Sequence, residues 1–181
     1  EQFEDIVNTH DLEDLFDKEE ICKSAKVYLI VFEYIEGNIL SPEKVLANKR
    51  KIASYIQMLH DISIVHGDIK EDNFIDTGSD IYMIDFGCSF DANFDVNNET
   101  KWKPCGADLD DAKSGVTYVT NKLSDWIKFI EMVITSELGR YLSMGECERT
   151  RNYIIEHNNT NTITDGNCFP LIDYILSQIK I

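Results

Sequence analysis

Residues 64–87 have the sequence IVHGDIKEDNFIDTGSDIYMIDFG, the most informative stretch of the chain. Within it, Asp68, Lys70, Asn73 and Asp85 supply carboxylate, ammonium and amide groups. Transfer of a phosphoryl group to a hydroxyl needs such groups. A carboxylate orients the attacking hydroxyl, a cation lies near the moving phosphate, and hard oxygen ligands hold Mg²⁺ against the nucleotide. The stretch therefore indicates phosphoryl-transfer chemistry.

A β-hairpin is predicted between the two aspartates. Residues 74–75 and 81–84 are mostly apolar, and residues 76–79 form a polar turn between them. Because a hairpin runs out and back, it brings Asp68 and Asp85 to one place in spite of their separation in sequence. The pattern thus predicts a single phosphate site.

The order of these residues resembles that of the eukaryotic-type protein kinases. His66–Asn73 matches their catalytic loop and Asp85–Gly87 matches their metal-binding Asp-Phe-Gly turn. The resemblance implies a protein-kinase-like fold, mainly α with a small β-hairpin. The chain would consist of the large C-terminal lobe (residues 37–181) and a remnant of the small lobe with the hinge strand (residues 1–36).

The resemblance also implies ATP and Mg²⁺ as cofactors and transfer to a protein Ser/Thr hydroxyl. Asp68 and Lys70 would be the catalytic residues. Asn73 and Asp85 would bind the nucleotide and hold Mg²⁺.

The adenine is expected at the hinge. The apolar, β-prone run over residues 27–32 predicts a buried strand, which the resemblance makes the last strand of the small lobe. Phe32 then matches the gatekeeper position, and the backbone of Glu33 and Ile35 would bond the adenine edge.

Two residues of the catalytic loop have structural consequences in the resemblance. His66 is expected to brace the loop and the Asp-Phe-Gly turn rather than to act as a base. Gly67 stands where many kinases carry an arginine that tethers a phosphorylated activation loop. Glycine cannot do this, which argues against activation by loop phosphorylation.

Helices are predicted on both sides of this stretch. Ser41, Pro42 and an acid in the first turn are typical of a helix start. Helical sequence is expected to continue to His60, with one break, and His60 itself to cap the helix or lie in the core. A wide apolar stripe predicts a buried helix over residues 123–138. In the kinase resemblance, its Asp125 hydrogen-bonds the backbone of the catalytic loop.

The remaining segments are predicted from composition. Residues 89–121 are polar and rich in breakers, which predicts a long loop at the place of the activation segment. The Asn- and Thr-rich residues 157–167 also predict a loop, and residues 169–179 predict a closing helix.

Composition limits the partners. The net charge of −16 argues against nucleic acid and anionic membranes and favours a basic protein segment as substrate. The sequence has no run long and apolar enough for a membrane span and no signal-peptide pattern at its start. Five dispersed cysteines argue against a disulfide framework or a zinc site. Together these features predict an intracellular protein.

Two alternatives to a protein kinase stay open. The sequence contains no glycine-rich phosphate loop and no strand lysine, so the isolated chain is expected to be inactive and could be a regulatory or binding module. A His-Gly-Asp loop also occurs in small-molecule kinases of related fold. Lys70, two residues after Asp68, favours a protein kinase over the small-molecule enzymes, and the presence of all four residues favours an enzyme. The sequence does not identify the substrate, the source, the regulation or the oligomeric state.

Overall fold

The computed structural model describes residues 33–92 and 122–179. The chain divides into two units, residues 1–34 and 35–181. All helices and strands in the described residues belong to the second unit.

Some of the predicted features fall outside the described residues. These are the strand over residues 27–32, including Phe32, and residues 93–121 of the long loop. That strand and that part of the loop remain predictions.

The first helix, α1, covers Pro42–Asp61. Ser41 is its N-cap, and the Ser41 hydroxyl accepts a hydrogen bond from the Lys44 amide at 3.4 Å, which confirms the predicted start. The predicted break is wrong, because α1 is continuous. After Pro42 its sequence contains neither glycine nor proline, the residues that most readily interrupt a helix.

A central helix, α2, covers Lys122–Leu138 and packs against α1 and against two later helices. It confirms the buried helix predicted from the apolar stripe. The buried apolar side chains of α2 are Leu123, Trp126, Ile127, Phe129, Ile130, Met132, Val133 and Ile134.

The two later helices are α3 (Met144–Thr160) and α4 (Cys168–Ile179). The closing helix is therefore confirmed, whereas the predicted loop is wrong over its first four residues, which belong to α3. Only two of the seventeen residues of α3, Thr150 and Ile154, are buried. With so few core positions the helix has little apolar periodicity to detect in the sequence.

A three-stranded antiparallel sheet lies beside α1 in the order β1 (Asn38–Ile39), β3 (Phe74–Asp76), β4 (Ile81–Met83). Strands β3 and β4 form the predicted hairpin, with Phe74 opposite Met83. Gly78 in the turn has φ +85°, a conformation that glycine adopts without strain.

A second, two-stranded sheet pairs β2 (Ile64–Val65) with β5 (Phe90–Asp91) in antiparallel fashion. It joins the start of the catalytic-loop motif to the chain that follows the Asp-Phe-Gly motif. This pairing holds the two motifs together.

Among the helices in the described parts of the chain, none has the length and apolarity needed to cross a bilayer.

Candidate active site

Asp125, in the first turn of α2, anchors the backbone of the catalytic loop. Its side chain is 1% exposed. Its two carboxylate oxygens accept hydrogen bonds from the His66 amide at 2.8 Å and the Gly67 amide at 2.9 Å. A buried carboxylate needs such partners. The predicted contact between Asp125 and the catalytic-loop backbone is therefore confirmed.

His60, in the last turn of α1, is a third partner of this carboxylate. Its Nε2 lies 3.0 Å from Asp125 Oδ2, and its ring meets the edge of the Trp126 ring. The Lys122 ammonium donates to the His60 carbonyl. The predicted core role is confirmed, with a specific polar partner that the sequence did not indicate.

The His66 ring is fully buried and links the two motifs. Its Nε2 lies 3.0 Å from the Ile84 carbonyl oxygen, and its Nδ1 accepts from the Asp68 amide at 3.3 Å. Since a carbonyl only accepts, the ring is the neutral tautomer that carries its proton on Nε2. Neither nitrogen is free to serve as a base. The predicted bracing position is confirmed.

Asp68, Lys70 and Asn73 form one hydrogen-bonded group. The Lys70 ammonium donates to Asp68 Oδ2 at 2.6 Å. The Asn73 amide nitrogen donates to the Asp68 carbonyl oxygen at 2.7 Å and to Asp68 Oδ2 at 2.9 Å. A 3₁₀ helix over Glu71–Asn73 turns the chain so that these side chains meet. The carboxylate of Asp68 is thus fixed from two sides.

The charge of Asp85 acts on Lys70, a member of this group. The hydrogen bond from Lys70 to Asp68 raises the pKa of Lys70, and the charges of Asp68, Asp72 and Asp85 add to this effect. Asp85 is exposed. The four chemistry-bearing residues lie on two neighbouring segments, residues 66–73 and 84–89, which are joined at Ile84 and are here called the mouth.

The Asp85 backbone has φ 59° and ψ 68°, a left-handed conformation that is unusual for a residue with a side chain. One carboxylate oxygen accepts from the Gly87 amide at 3.3 Å. The preceding amide, that of Ile84, donates to the Asn73 carbonyl at 2.9 Å. The turn is therefore bonded to Asn73, which the kinase resemblance implies is the other magnesium ligand.

Oxygen atoms suited to Mg²⁺ are present at this mouth. The Asn73 amide nitrogen makes both of that side chain's bonds, which leaves the amide oxygen as a possible ligand. The Asp85 carboxylate supplies a second hard donor, and the nucleotide phosphates ordinarily supply more. Within the described residues there is no cluster of three or more His, Cys, Asp or Glu side chains suited to a metal. The donor set fits Mg²⁺ bound together with a nucleotide.

Gly67 is constrained by its surroundings. Its φ is +82°, and a Cβ at this position would lie 2.4 Å from the Cys88 carbonyl oxygen. Neither the conformation nor the space allows a side chain. The catalytic loop and the turn after Asp85 therefore approach as closely as their backbones permit.

The hinge residues are placed only in part. Glu33 is exposed and Ile35 is half-buried, while Phe32 lies outside the described residues. A Cβ on Gly37 would lie 2.6 Å from the Asp76 carbonyl oxygen, so the chain after the hinge runs directly against the hairpin. The adenine contacts remain predictions.

Two features of the site have no clear sequence signal. Ser89, which the sequence marks only as the start of a loop, donates its hydroxyl to the His66 carbonyl at 3.0 Å. Cys88 is disulfide-bonded, whereas Cys147 and Cys168 are free. One bonded cysteine is not a disulfide framework, so the expectation that the cysteines form no such framework stays a prediction.

A model of the family described as "Lipopolysaccharide core biosynthesis protein (WaaY)" matches residues 4–97. The match covers just over half of the 181-residue chain and includes the whole of residues 64–87.

Two curated relatives are subunits of the same kind of complex. The EKC/KEOPS complex subunit BUD32 of Encephalitozoon cuniculi is 41% identical over 66 residues, which cover 34% of this chain and 33% of the relative. The KEOPS complex subunit Bud32 of Pyrococcus abyssi is 37% identical over 91 residues, which cover 46% of this chain and 38% of the relative. The matched segments thus span 33% of one relative and 38% of the other.

Proposed function

The chain belongs to the family described as lipopolysaccharide core biosynthesis protein (WaaY), which is kinase-like, and we propose that it carries the large-lobe machinery for ATP-dependent phosphoryl transfer to a hydroxyl. The observation that supports this most is the bonded group of Asp68, Lys70 and Asn73, to which the chain just before Asp85 is joined by the Ile84 amide.

In this proposal Asp68 orients the attacking hydroxyl and accepts its proton as the new O–P bond forms. The bonds from Lys70 and Asn73 fix the carboxylate in place. Lys70 can also neutralise charge on the moving phosphoryl group. Phosphoryl transfer depends mainly on such positioning and charge stabilisation.

Asn73 and Asp85 would hold Mg²⁺ through their remaining oxygens. When bound, Mg²⁺ neutralises the nucleotide phosphates. The adenine would lie at the hinge, against the backbone of Glu33 and Ile35 and beside Phe32. Residues 1–36 would be a remnant of the small lobe.

We assign a protein Ser/Thr hydroxyl as the acceptor. Lys70 follows Asp68 by two residues, as in the protein kinases. Two relatives are named as subunits of the KEOPS complex, and a net charge of −16 favours a basic segment as the substrate. An intracellular protein partner fits these features.

A second candidate acceptor is a sugar hydroxyl. The family description names lipopolysaccharide core biosynthesis, and small-molecule kinases of related fold also use a His-Gly-Asp loop. The chemistry at Asp68 and Asp85 would be the same, so the geometry of the mouth does not separate the two acceptors.

The test is phosphoryl transfer from γ-labelled ATP by the full-length protein. Basic Ser/Thr peptides are compared with lipopolysaccharide core oligosaccharide as acceptors. Label in the peptides supports the protein acceptor, and label only in the oligosaccharide replaces it with the sugar. Absence of nucleotide binding and of transfer would favour the regulatory module.

Two variants separate chemistry from binding. Asp68→Asn should keep nucleotide affinity but lower turnover about 100- to 10,000-fold, the range for a lost general base. Asp85→Asn should weaken Mg²⁺-dependent nucleotide binding. Asp173→Asn, at an exposed position on α4, is the control. Normal turnover by Asp68→Asn would refute its role.

A further inference from the structure

The turn that carries Asp85 depends on its surroundings to keep its shape. A left-handed residue with a side chain costs free energy, and it persists only where neighbouring contacts hold it. The internal bonds of the turn are the Asp85 carboxylate to the Gly87 amide and the Ser89 amide to the Phe86 carbonyl. Both are local, and neither fixes the turn to the rest of the site.

His66 binds both ends of this turn. Before Asp85, the His66 ring bonds the Ile84 carbonyl at 3.0 Å. After it, the Ser89 hydroxyl donates to the His66 carbonyl, also at 3.0 Å. The His66 ring further packs against the Phe86 ring, with centroids 4.9 Å apart. One residue of the catalytic loop therefore holds the metal-binding turn from both sides.

The anchor itself is fixed. The His66 amide bonds the buried Asp125 carboxylate at 2.8 Å. The close approach of Gly67 to the Cys88 carbonyl leaves no room for the loop to slide toward the turn. On its C-terminal side, movement of the turn away from the loop is opposed by the Ser89 hydroxyl and, one residue later, by the pairing of Phe90 with Val65.

We propose that Ser89 is a positioning residue for Mg²⁺ binding, because its hydroxyl ties the end of the Asp85 turn to the His66 carbonyl and so limits movement of the Asp85 carboxylate. This inference rests on the proposed function of Asp85 and Asn73 as the magnesium ligands. Ser89 touches neither metal nor substrate in this role.

The first measurement is amide hydrogen exchange in the full-length protein without nucleotide. Ser89→Ala should speed exchange in peptides covering residues 84–91, because the tie to the loop is lost. Ser89→Thr keeps the hydroxyl and should restore the parent pattern. Ser136→Ala is the matched control, since the Ser136 hydroxyl also donates to a carbonyl, that of Met132, inside α2. Unchanged exchange in Ser89→Ala would overturn the proposal, whether or not the protein binds nucleotide.

The second measurement is the Mg²⁺ concentration that half-saturates nucleotide binding. Ser89→Ala should raise it about 2- to 10-fold, the factor expected from one ordinary hydrogen bond. Nucleotide binding without Mg²⁺ should stay unchanged, a difference that a general loss of stability would not produce. Ser89→Thr should again match the parent.

The two measurements separate the failures. Faster exchange with an unchanged Mg²⁺ requirement would make Ser89 merely structural and overturn its positioning role. A parent protein that binds no Mg²⁺-nucleotide would refute the proposed function and the positioning role together. In that case the exchange data would still report whether the tie exists.

Discussion

The helical base of the protein (α1 to α4) and its catalytic mouth (residues 66–73 and 84–89) are stabilised in different ways. In the base, Phe129, Ile130 and Val133 of α2 have no exposed surface and pack among other apolar side chains. The mouth has two left-handed backbone positions, Gly67 and Asp85, and it is held by individual hydrogen bonds.

The difference shows where precision comes from. Apolar packing is non-directional and grows with the area buried, so it fixes the helices collectively. A hydrogen bond has a defined geometry and places one atom against another. Asp125 belongs to both regions, because it lies on the central helix and bonds the catalytic loop.

The largest expected effect tests the base. Phe129→Ala removes a fully buried ring and should lower the free energy of unfolding by about 3–5 kcal/mol. Denaturant unfolding measures it, with Phe129→Leu as a milder variant. The folded fraction should retain the nucleotide affinity of the parent. The control is Tyr141→Ala, since the Tyr141 side chain is 88% exposed. A fall in affinity with Phe129→Leu would show that the two regions are not separable.

The next effect tests the residue that joins the regions. Asp125→Ala leaves the His66 and Gly67 amides without their partner, at a total cost of about 1–3 kcal/mol. Unlike Phe129→Ala, it should lower stability and activity together. Denaturant unfolding and phosphoryl transfer measure the two, with Asp173→Ala as the exposed control. Lost stability with unimpaired activity would contradict the link.

The smallest expected effect concerns a polar cluster in the helical base. The cluster is an exception there because hydrogen bonds, and not apolar packing, hold it. A hydrogen bond from Arg140, together with bonds from Ser143, holds the pKa of Glu146 well below its usual range. A lowered folded pKa contributes stability that is present above the unfolded value, 4.5, and is lost as the pH falls further below it.

Glu146→Gln should therefore lower the Tm slightly at neutral pH, and the difference from the parent should shrink in acid. Thermal unfolding from neutral pH to below pH 4.5 measures this difference in Tm. High salt should reduce the difference as well, because the cluster is near the surface. Glu148→Gln, at an exposed position on the same helix, should show no such trend. A difference that grows in acid would have the wrong sign.

Sequence reasoning succeeded where the information is local or follows from the kinase resemblance. The Ser41 cap, the hairpin and the apolar stripe of α2 are encoded in adjacent residues. The contact of Asp125 with the loop followed from the resemblance.

The failures have physical reasons. The helix α3 buries too few residues to show a period. The Ser89 hydroxyl finds its partner 23 residues away in sequence, and the close approach of Gly67 to Cys88 depends on the tertiary fold. Such contacts have no signature in composition or spacing.

The contact between Gly67 and the Cys88 carbonyl also restricts how this protein can evolve. Any mutation at position 67 meets a positive φ and a backbone oxygen 2.4 Å from the new Cβ, so the first step toward the arginine found in many kinases is deleterious by itself. The peptide at Cys88 would have to shift beforehand, and that shift would disturb the turn carrying Asp85. A side chain at position 67 would therefore need a compensating change in the backbone near Cys88.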